Sequence, residues 1–345
     1  MKKVLVTGGA GFIGSNLIAR MLATHDGYDV TVLDNLSYSA NLENLARFED
    51  NPRYAFVKAD VSDQDAMMAQ VSGFDAVLHL AAESHVDRSI MDPGPFVTSN
   101  AVGTQRLLEA WRRGPGADGL PFVLVSTDEV YGSLPLDEPD KRFTEESPIE
   151  PSSAYSASKA AGDLFGRAYH HTFGLNVVTT RCSNNFGPYQ FPEKVIPLFV
   201  TNLLEGRKVP VYGDGKNVRD WIHVDDHAEG ILAALEKGRP GEVYNLGADN
   251  ERTNLELTRS LLAILGLGED MIEYVTDRPG HDRRYAIDSS KAAEHLGWKA
   301  TRSAWPDALE QTVAWYKDNP EWWQRVKSGA YRDYYAEQYG ARVNG

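Results

Sequence analysis

The chain has one cysteine, Cys182, in 345 residues. No disulfide can therefore form within one molecule, which fits a reducing cytosol. Long apolar runs are missing as well, and no window approaches the roughly 20 apolar residues that a bilayer span requires. The N-terminal Val4-Leu5-Val6 leads at once into a glycine turn and does not read as a signal peptide. A basic tract is also lacking: Lys plus Arg number 35 against 49 Asp plus Glu, for a net charge of −14. Phosphate neutralisation needs clustered cations, so nucleic acid is excluded as a partner. A small anionic ligand is still compatible with a few cations converging locally. The nine histidines and the lone cysteine show no metal-ligand spacing. No internal repeat or low-complexity segment is present. The expectation is a soluble cytoplasmic protein with length enough for two domains.

What is there is a rhythm. Short apolar runs, Val4–Val6, Val30–Leu33, Ala55–Val57, Ala76–Leu78, Phe122–Val125 and Val177–Thr179, alternate with amphipathic stretches such as Ser15–Thr24 and Ala101–Arg113. Runs without strict alternation read as strands buried on both faces. The pattern predicts an α/β fold, a Rossmann-like doubly wound parallel sheet with right-handed crossovers. After residue 182 the rhythm loosens. Val209–Gly213 reads as a short strand tolerating a proline at an edge, Val224–Glu236 as a helix, Val243–Leu246 as another strand, and Asp277–Asp282 as a charged loop. The division expected is a dinucleotide-binding domain over 1–182, with about 216–247 returning to it, and a smaller C-terminal lobe over 183–345. The tail, with Trp315, Trp322, Trp323 and several tyrosines, reads as helical packing.

Thr7-Gly8-Gly9-Ala10-Gly11-Phe12-Ile13-Gly14 follows the first strand and opens the first helix. Gly8 permits a tight turn, Gly11 lets backbone approach a pyrophosphate, and Gly14 allows close helix packing. The helix N-terminus offers free N–H groups to phosphate. Asp34 ends the second strand, where a carboxylate accepts from adenosine ribose hydroxyls, and no arginine follows within Asn35-Leu36-Ser37. That favours NAD over NADP. Asp60-Val61 ends the third strand and either contacts the adenine or caps a helix. Leu80-Ala81-Ala82 ends the fourth in small residues that suit a backbone lying close to the cofactor. His79, inside an apolar strand, reads as a satisfied buried histidine, and His170 and His171 as the end of a helix.

Tyr155 and Lys159 stand four apart, on one face of a helix. A lysine near a phenol favours the phenolate, and a Tyr so tuned can take a hydroxyl proton while hydride leaves the same carbon. Thr127, at the end of the fifth strand, can donate to the same oxygen.

These residues resemble the extended short-chain dehydrogenases/reductases that modify nucleotide sugars. The resemblance runs from Val4 to about Tyr285 and is nearest to the dTDP-glucose 4,6-dehydratases. It rests on Ser126-Thr127-Asp128-Glu129-Val130-Tyr131-Gly132, on Ala82–Ser89, on Arg181–Lys194, on Arg219-Asp220-Trp221 and on Asp277–Asp282. Related 4-epimerases usually lack the adjacent acid pair. The resemblance implies a bound NAD that is reset within each turnover. Hydride leaves C4 of the glucose with Tyr155 as base, Glu129 removes the C5 proton, Asp128 protonates the departing O6, and hydride returns at C6. Two carboxyls side by side cannot both ionise easily, so one keeps its proton, and the pair titrates as a unit. Neighbouring strand residues point to opposite faces, so both acids reach the sugar only if the strand stops near Thr127. A turn or helix start is expected at Asp128.

The resemblance further implies that Phe12, Ile13, Asn35, Ser37, Ser84, Ser99 and Asn185 join the glycines, Asp34, Asp60, Val61, Leu80, Ala81, Ala82, Tyr155 and Lys159 around NAD. On the substrate side it implies Ser84, His85, Thr127, Asn184, Glu193, Lys194, Val195, Pro210, Tyr212, Asn254, His281 and Asp282, with Arg219 and Arg278 on the diphosphate. Arg278 and Asp282 also read as a surface ion pair, and Tyr212 as a core residue. Departures are small: Phe186 replaces a usual tyrosine, Ser99 a usual threonine, and Asn35-Leu36-Ser37 the commoner Lys-Leu-Thr. They bear on nucleotide preference rather than on the reaction. A homodimer is implied too. Two other readings stand beside this one. The first is a 4,6-dehydratase, epimerase or decarboxylase of a UDP-, CDP- or GDP-linked sugar, and the second is a dinucleotide sensor without turnover.

Overall fold

The computed structural model describes residues 2–24 and 27–328. The first half forms β1 (Lys2–Thr7), β2 (Tyr28–Asp34), β3 (Tyr54–Lys58), β4 (Ala76–His79), β5 (Phe122–Thr127) and β6 (Val177–Cys182). The second half adds β7 (Asn184–Phe186), β8 (Val209–Tyr212), β9 (Val218–His223), β10 (Val243–Leu246), β11 (Glu251–Thr253) and β12 (Ile272–Val275). Seven of these make one sheet in the order β10-β6-β5-β4-β1-β2-β3. Every neighbouring pair in it is parallel. Strands β4, β5 and β6 are buried at every position, because helices cover both faces and leave no water-facing side to alternate with.

The strand order reverses between β1 and β4, since the chain runs outward through β2 and β3 and then crosses back. At such a switch point the loops leaving the strand ends part and open a crevice. The turn after β1 is packed to its limit there. Gly8 has φ of +74°, and a Cβ on it would lie 2.6 Å from Ala81 N. A Cβ on Gly14 would lie 2.4 Å from Gly8 O. Neither position admits a side chain.

His79 shares hydrogen bonds with the Thr7 and Thr104 hydroxyls at 2.7 and 2.9 Å, and burial pushes it down to about 3. It is the satisfied core histidine the sequence suggests. The stretch expected as one regular helix over Ala101–Arg113 differs. Val97–Gly103 makes wider turns of the π type before Thr104–Arg113 becomes α-helical. Asn100 is the physical reason, because its side chain is drawn toward the exit of β4. It accepts from Glu83 N and donates to Glu83 O and Ser158 Oγ. Such bulges recur at functional sites.

The smaller lobe holds a three-stranded sheet, β11-β9-β7, and a parallel pair, β12-β8. Its core joins Phe186, Phe199, Trp221, Leu261, Tyr316 and Trp323. Trp322 Nε1 donates to Asn44 Oδ1 at 3.0 Å and fastens this lobe to the first. The tail tyrosines after residue 328 lie outside the described residues. Strand β10 pairs with β6, and the helix Val224–Lys237 packs on the helix Phe12–Thr24. The chain thus re-enters the large sheet after leaving it, while β9 stays in the small one.

The helix Ala154–Phe173 carries Tyr155 and Lys159. A reciprocal cap between Ser153 and Ser156 starts it, and Gly174 at φ +69° ends it. It is tied to β6 by Arg181 Nε and Asp163 Oδ2 at 2.8 Å, with side chains 5% and 3% exposed. Removing one partner of a buried pair strands the other charge. Asp163→Ala should therefore lower the unfolding free energy by about 3–5 kcal/mol in urea melts. A loss below about 1 kcal/mol would show that the pair does not anchor the helix.

Candidate active site

Over the switch point lies a cavity of about 250 Å³. Gly8, Gly11, Phe12, Ile13 and Gly14 form its floor, and Asp34, Asn35, Ser37, Val61, Leu80, Ala81, Ala82, Ser84 and Ser99 line one end. A Cβ on Gly11 would meet Gly8 O at 3.3 Å and nothing else. That leaves the backbone there open to a close-lying ligand. Asp34 accepts from Ala10 N at 3.0 Å and from Leu36 N at 2.8 Å. Two carboxylate lone-pair sites remain for hydroxyl donors. Burial raises its pKa and the two backbone N–H groups pull back. Asp60 departs from expectation. It does not line the cavity, because its carboxylate is engaged by Asn35 Nδ2 at 3.0 Å and Ser62 N at 2.7 Å. It does not cap the next helix either, since Asp63 does.

At the other end stand Thr127, Asp128, Glu129, Tyr155, Lys159, Asn184 and Asn185. Strand β5 stops at Thr127, and a single 3₁₀ turn, Asp128–Tyr131, follows. The Thr127 hydroxyl accepts from Glu129 N at 3.3 Å and starts that turn. The stop expected from the alternation rule is present. Asp128 is 1% exposed and one of its carboxylate oxygens has no partner. Burial, then the Glu129 and Asp220 charges, hold it well above the usual carboxylate range. Glu129 is only half-buried by surface but lies deep in the cavity. Burial raises it as well, while Arg278, Lys194 and Arg219 pull it back. The pair is thus divided into a group that keeps its proton and a group that can take one.

Tyr155 corrects the sequence reading. Its phenol is pushed well up, first by burial and then by the Glu129 charge, against a lowering hydrogen bond from Thr127. The Lys159 ammonium donates to Val125 O at 2.7 Å, not to the phenol. Helical spacing brings the two residues to one face, but the lysine donates to a backbone carbonyl.

A second cavity of about 160 Å³ adjoins the first and shares Glu129, Asn184, Glu193 and Lys194 with it. His85, Val195, Pro210, Tyr212, Arg219, Asn254, Arg278 and His281 line it. Lys194 Nζ donates to Ser84 O at 2.5 Å. Arg219 donates to Asp282 O at 3.0 Å and lies 4.2 Å over the Tyr285 ring. Asp282 is not a lining residue. Its carboxylate is held by Ser152 Oγ and Tyr285 OH, both at 2.5 Å. The Arg278–Asp282 ion pair is not made either. Arg278 binds Asp87 at 3.1 Å, and Tyr212 donates to the same carboxylate at 3.0 Å. Tyr212 is therefore a cavity wall rather than core.

A sequence model of the family described as GDP-mannose 4,6 dehydratase matches residues 5–306. A dTDP-glucose 4,6-dehydratase of Streptomyces niveus is 51% identical over 94% of this chain and 96% of its own. That of Xanthomonas campestris pv. campestris strain B100 is 50% identical over 98% and 99%. A crystal structure of the Streptomyces venezuelae dTDP-glucose 4,6-dehydratase, solved with NAD and a second ligand, superposes with a TM-score of 0.90 at 48% identity. It covers 94% of this chain and 100% of that one. The chain belongs to the dTDP-glucose 4,6-dehydratase family.

Among the dehydratase residues, sequence reasoning gave no role to Asp87 or Tyr285, both of which border the second cavity. Asp87 lies inside the quoted stretch Ala82–Ser89, but at the start of a short helix an acid looks like a dipole partner. Only the fold brings Arg278 and Tyr212 to it. The Asp128 environment has a measurable consequence. A carboxyl whose pKa is raised on folding contributes its full stability below the ordinary aspartate range and loses it as pH climbs through the raised value. Asp128→Asn carries no such loss. Its melting temperature should exceed wild type at about pH 8, with the gap closing toward about pH 4. A gap that stays constant with pH would show that Asp128 is not held protonated.

Proposed function

We propose that the chain dehydrates dTDP-glucose to dTDP-4-keto-6-deoxyglucose, with NAD retained and reset in each turnover. The observation that carries this reading is the Asp128–Glu129 pair turned together into the cavity that holds Thr127 and Tyr155. An oxidoreductase that stopped at C4 would have no use for two buried acids. The residues suit NAD: an open backbone at Gly11, spare lone pairs on Asp34, and no cation at 35–37 to seat a 2′-phosphate. When bound, NAD would supply the hydride acceptor for C4, the hydride donor for C6, and a cationic ring whose charge favours a phenolate.

The rest falls to this chain's own side chains. Tyr155 would take the C4 hydroxyl proton as a phenolate, a form that burial and the Glu129 charge oppose and the positive charge of the bound cofactor favours, and Thr127 holds the same oxygen. The C4 ketone acidifies C5–H, and Glu129 removes that proton. Asp128, kept protonated by burial, gives its proton to O6, which departs as water. Arg219, Arg278 and Lys194 line the second cavity and receive the diphosphate. Pro210 and Tyr212, both on β8, take the base. The lone cysteine suits a reducing cytoplasm. Among the described residues no helix is long and apolar enough to cross a membrane.

The assembly proposed is a homodimer. Val97 and Leu164 are 53% and 51% exposed, and Ile90, Met91 and Phe165 are exposed as well, on segments that pack against the helix Ala154–Phe173 or belong to it. Exposed apolar side chains on neighbouring segments of this kind suit burial against a second copy. Light scattering should give a dimer for wild type and a monomer for Leu164→Glu, whereas a dimeric variant would place the interface elsewhere.

Incubation with dTDP-glucose should yield a product lighter by one water. Turnover only with UDP-, CDP- or GDP-hexoses would overturn the nucleotide assignment. Glu129→Gln should still oxidise C4 but not eliminate. Reduced cofactor should then accumulate while dehydration falls by at least about 100-fold. Exchange of the C5 proton at the wild-type rate in this variant would remove Glu129 from its role.

A further inference from the structure

His227 lies in the second turn of the helix Val224–Lys237, fully buried, and no step above uses it. Its Nδ1 is 2.9 Å from Asn185 Oδ1. Its Nε2 is buried without a partner. The direction of this bond follows from the other contacts of Asn185. The amide nitrogen is 3.0 Å from the Ser183 carbonyl, which can only accept, and 3.4 Å from Cys182 Sγ. The NH₂ group therefore points at the end of β6, and Oδ1 must face the imidazole. His227 is then the Nδ1–H tautomer, donating to Asn185. Burial pushes it down to about 3, so it stays neutral and keeps that tautomer. The Asn185 backbone is fixed too, because Gln190 Nε2 donates to its carbonyl at 2.8 Å.

With both amide hydrogens engaged and one Oδ1 lone pair taken by His227, a single hydrogen-bonding position is left on this cavity-lining side chain: the second lone pair of Oδ1. We propose that His227 is a positioning residue of the cofactor cavity, holding Asn185 as an acceptor for a carboxamide N–H such as that of nicotinamide. The proposal rests on the cofactor reading above. It states the polarity of that contact and names the group behind it.

The test compares purified wild type, His227→Leu, His227→Asn, His227→Gln, Asn185→Ala and the His227→Leu/Asn185→Ala double variant. NAD released on denaturation is measured, and so are the Kd for NAD after stripping, kcat, and KM for dTDP-glucose. His227→Leu should weaken NAD binding about tenfold, the size of one lost hydrogen bond, with KM for the sugar nucleotide unchanged. His227→Asn carries an N–H where the ring Nδ1 stands and should recover most of the loss. His227→Gln places its donor at the Nε2 position and should not, which serves as the comparison if the leucine variant fails to fold. In the Asn185→Ala background, His227→Leu should add nothing. Wild-type NAD affinity in His227→Leu, no difference between the Asn and Gln variants, or an undiminished loss in the Asn185→Ala background would each overturn the proposal. Wild type that neither retains nor binds NAD would instead sink the cofactor reading, and this proposal with it.

Discussion

The Thr127 hydroxyl accepts the Glu129 N–H at 3.3 Å, and that contact decides where β5 ends. Had the strand run on, Asp128 and Glu129 would point to opposite faces of the sheet. The 3₁₀ turn that follows instead leaves both beside the same cavity. Burying two carboxyls there is costly. The fold tolerates it because Asp128 keeps a proton and because Glu129 lies among Arg278, Lys194 and Arg219. The seven-stranded sheet, covered on both faces, is the rigid support that such an arrangement needs.

A second constraint is the single residue between the two sheets. Cys182 ends β6 in the large sheet, and Asn184 begins β7 in the small one, with only Ser183 between them. Neighbouring residues thus belong to different lobes, and Asn184 and Asn185 sit where the cavities meet. The hydrogen bonds from Asn185 to Ser183 O and Cys182 Sγ, and from Cys182 Sγ to Ser126 O at 3.5 Å, hold the ends of β5, β6 and β7 together. Burial pushes the Cys182 thiol up to about 12. It serves here as a packed, weakly donating group rather than as a nucleophile.

Legibility from sequence followed the range of the interactions. The parallel strands could be read because burial on both faces writes a continuous apolar run into a few consecutive residues. The glycine turn could be read because its constraint, backbone too close for a Cβ, falls on residues three apart. The acid pair's roles came from the resemblance of the stretch Ser126–Gly132 and not from two adjacent acids as such. Asp87 could not, since its partners Arg278 and Tyr212 lie 191 and 125 residues away. The Tyr155–Lys159 spacing gave the shared helix face correctly but not the outcome. How strongly a phenol is desolvated, and which carbonyl a lysine reaches, are properties of the packed interior. The wide turns at Val97–Gly103 were hidden for a similar reason, because Asn100 is pulled out of regular helix by contacts with Glu83 and Ser158.

The same distinction explains why the small lobe is more than a container for substrate. Both acids come from the end of β5 in the large sheet. The cations that separate their behaviour come from elsewhere: Lys194 follows β7, Arg219 lies on β9, and Arg278 follows β12. Glu129 is lowered by all three, whereas Asp128 is lowered by Arg219 and the Thr127 hydrogen bond and is raised by Asp220 from the same strand as Arg219. The deeper burial of Asp128 begins the division into one protonated and one basic carboxyl, and the meeting of the two lobes widens it. The large sheet alone would present two acids in one turn, both raised by burial, without the cations that pull Glu129 back.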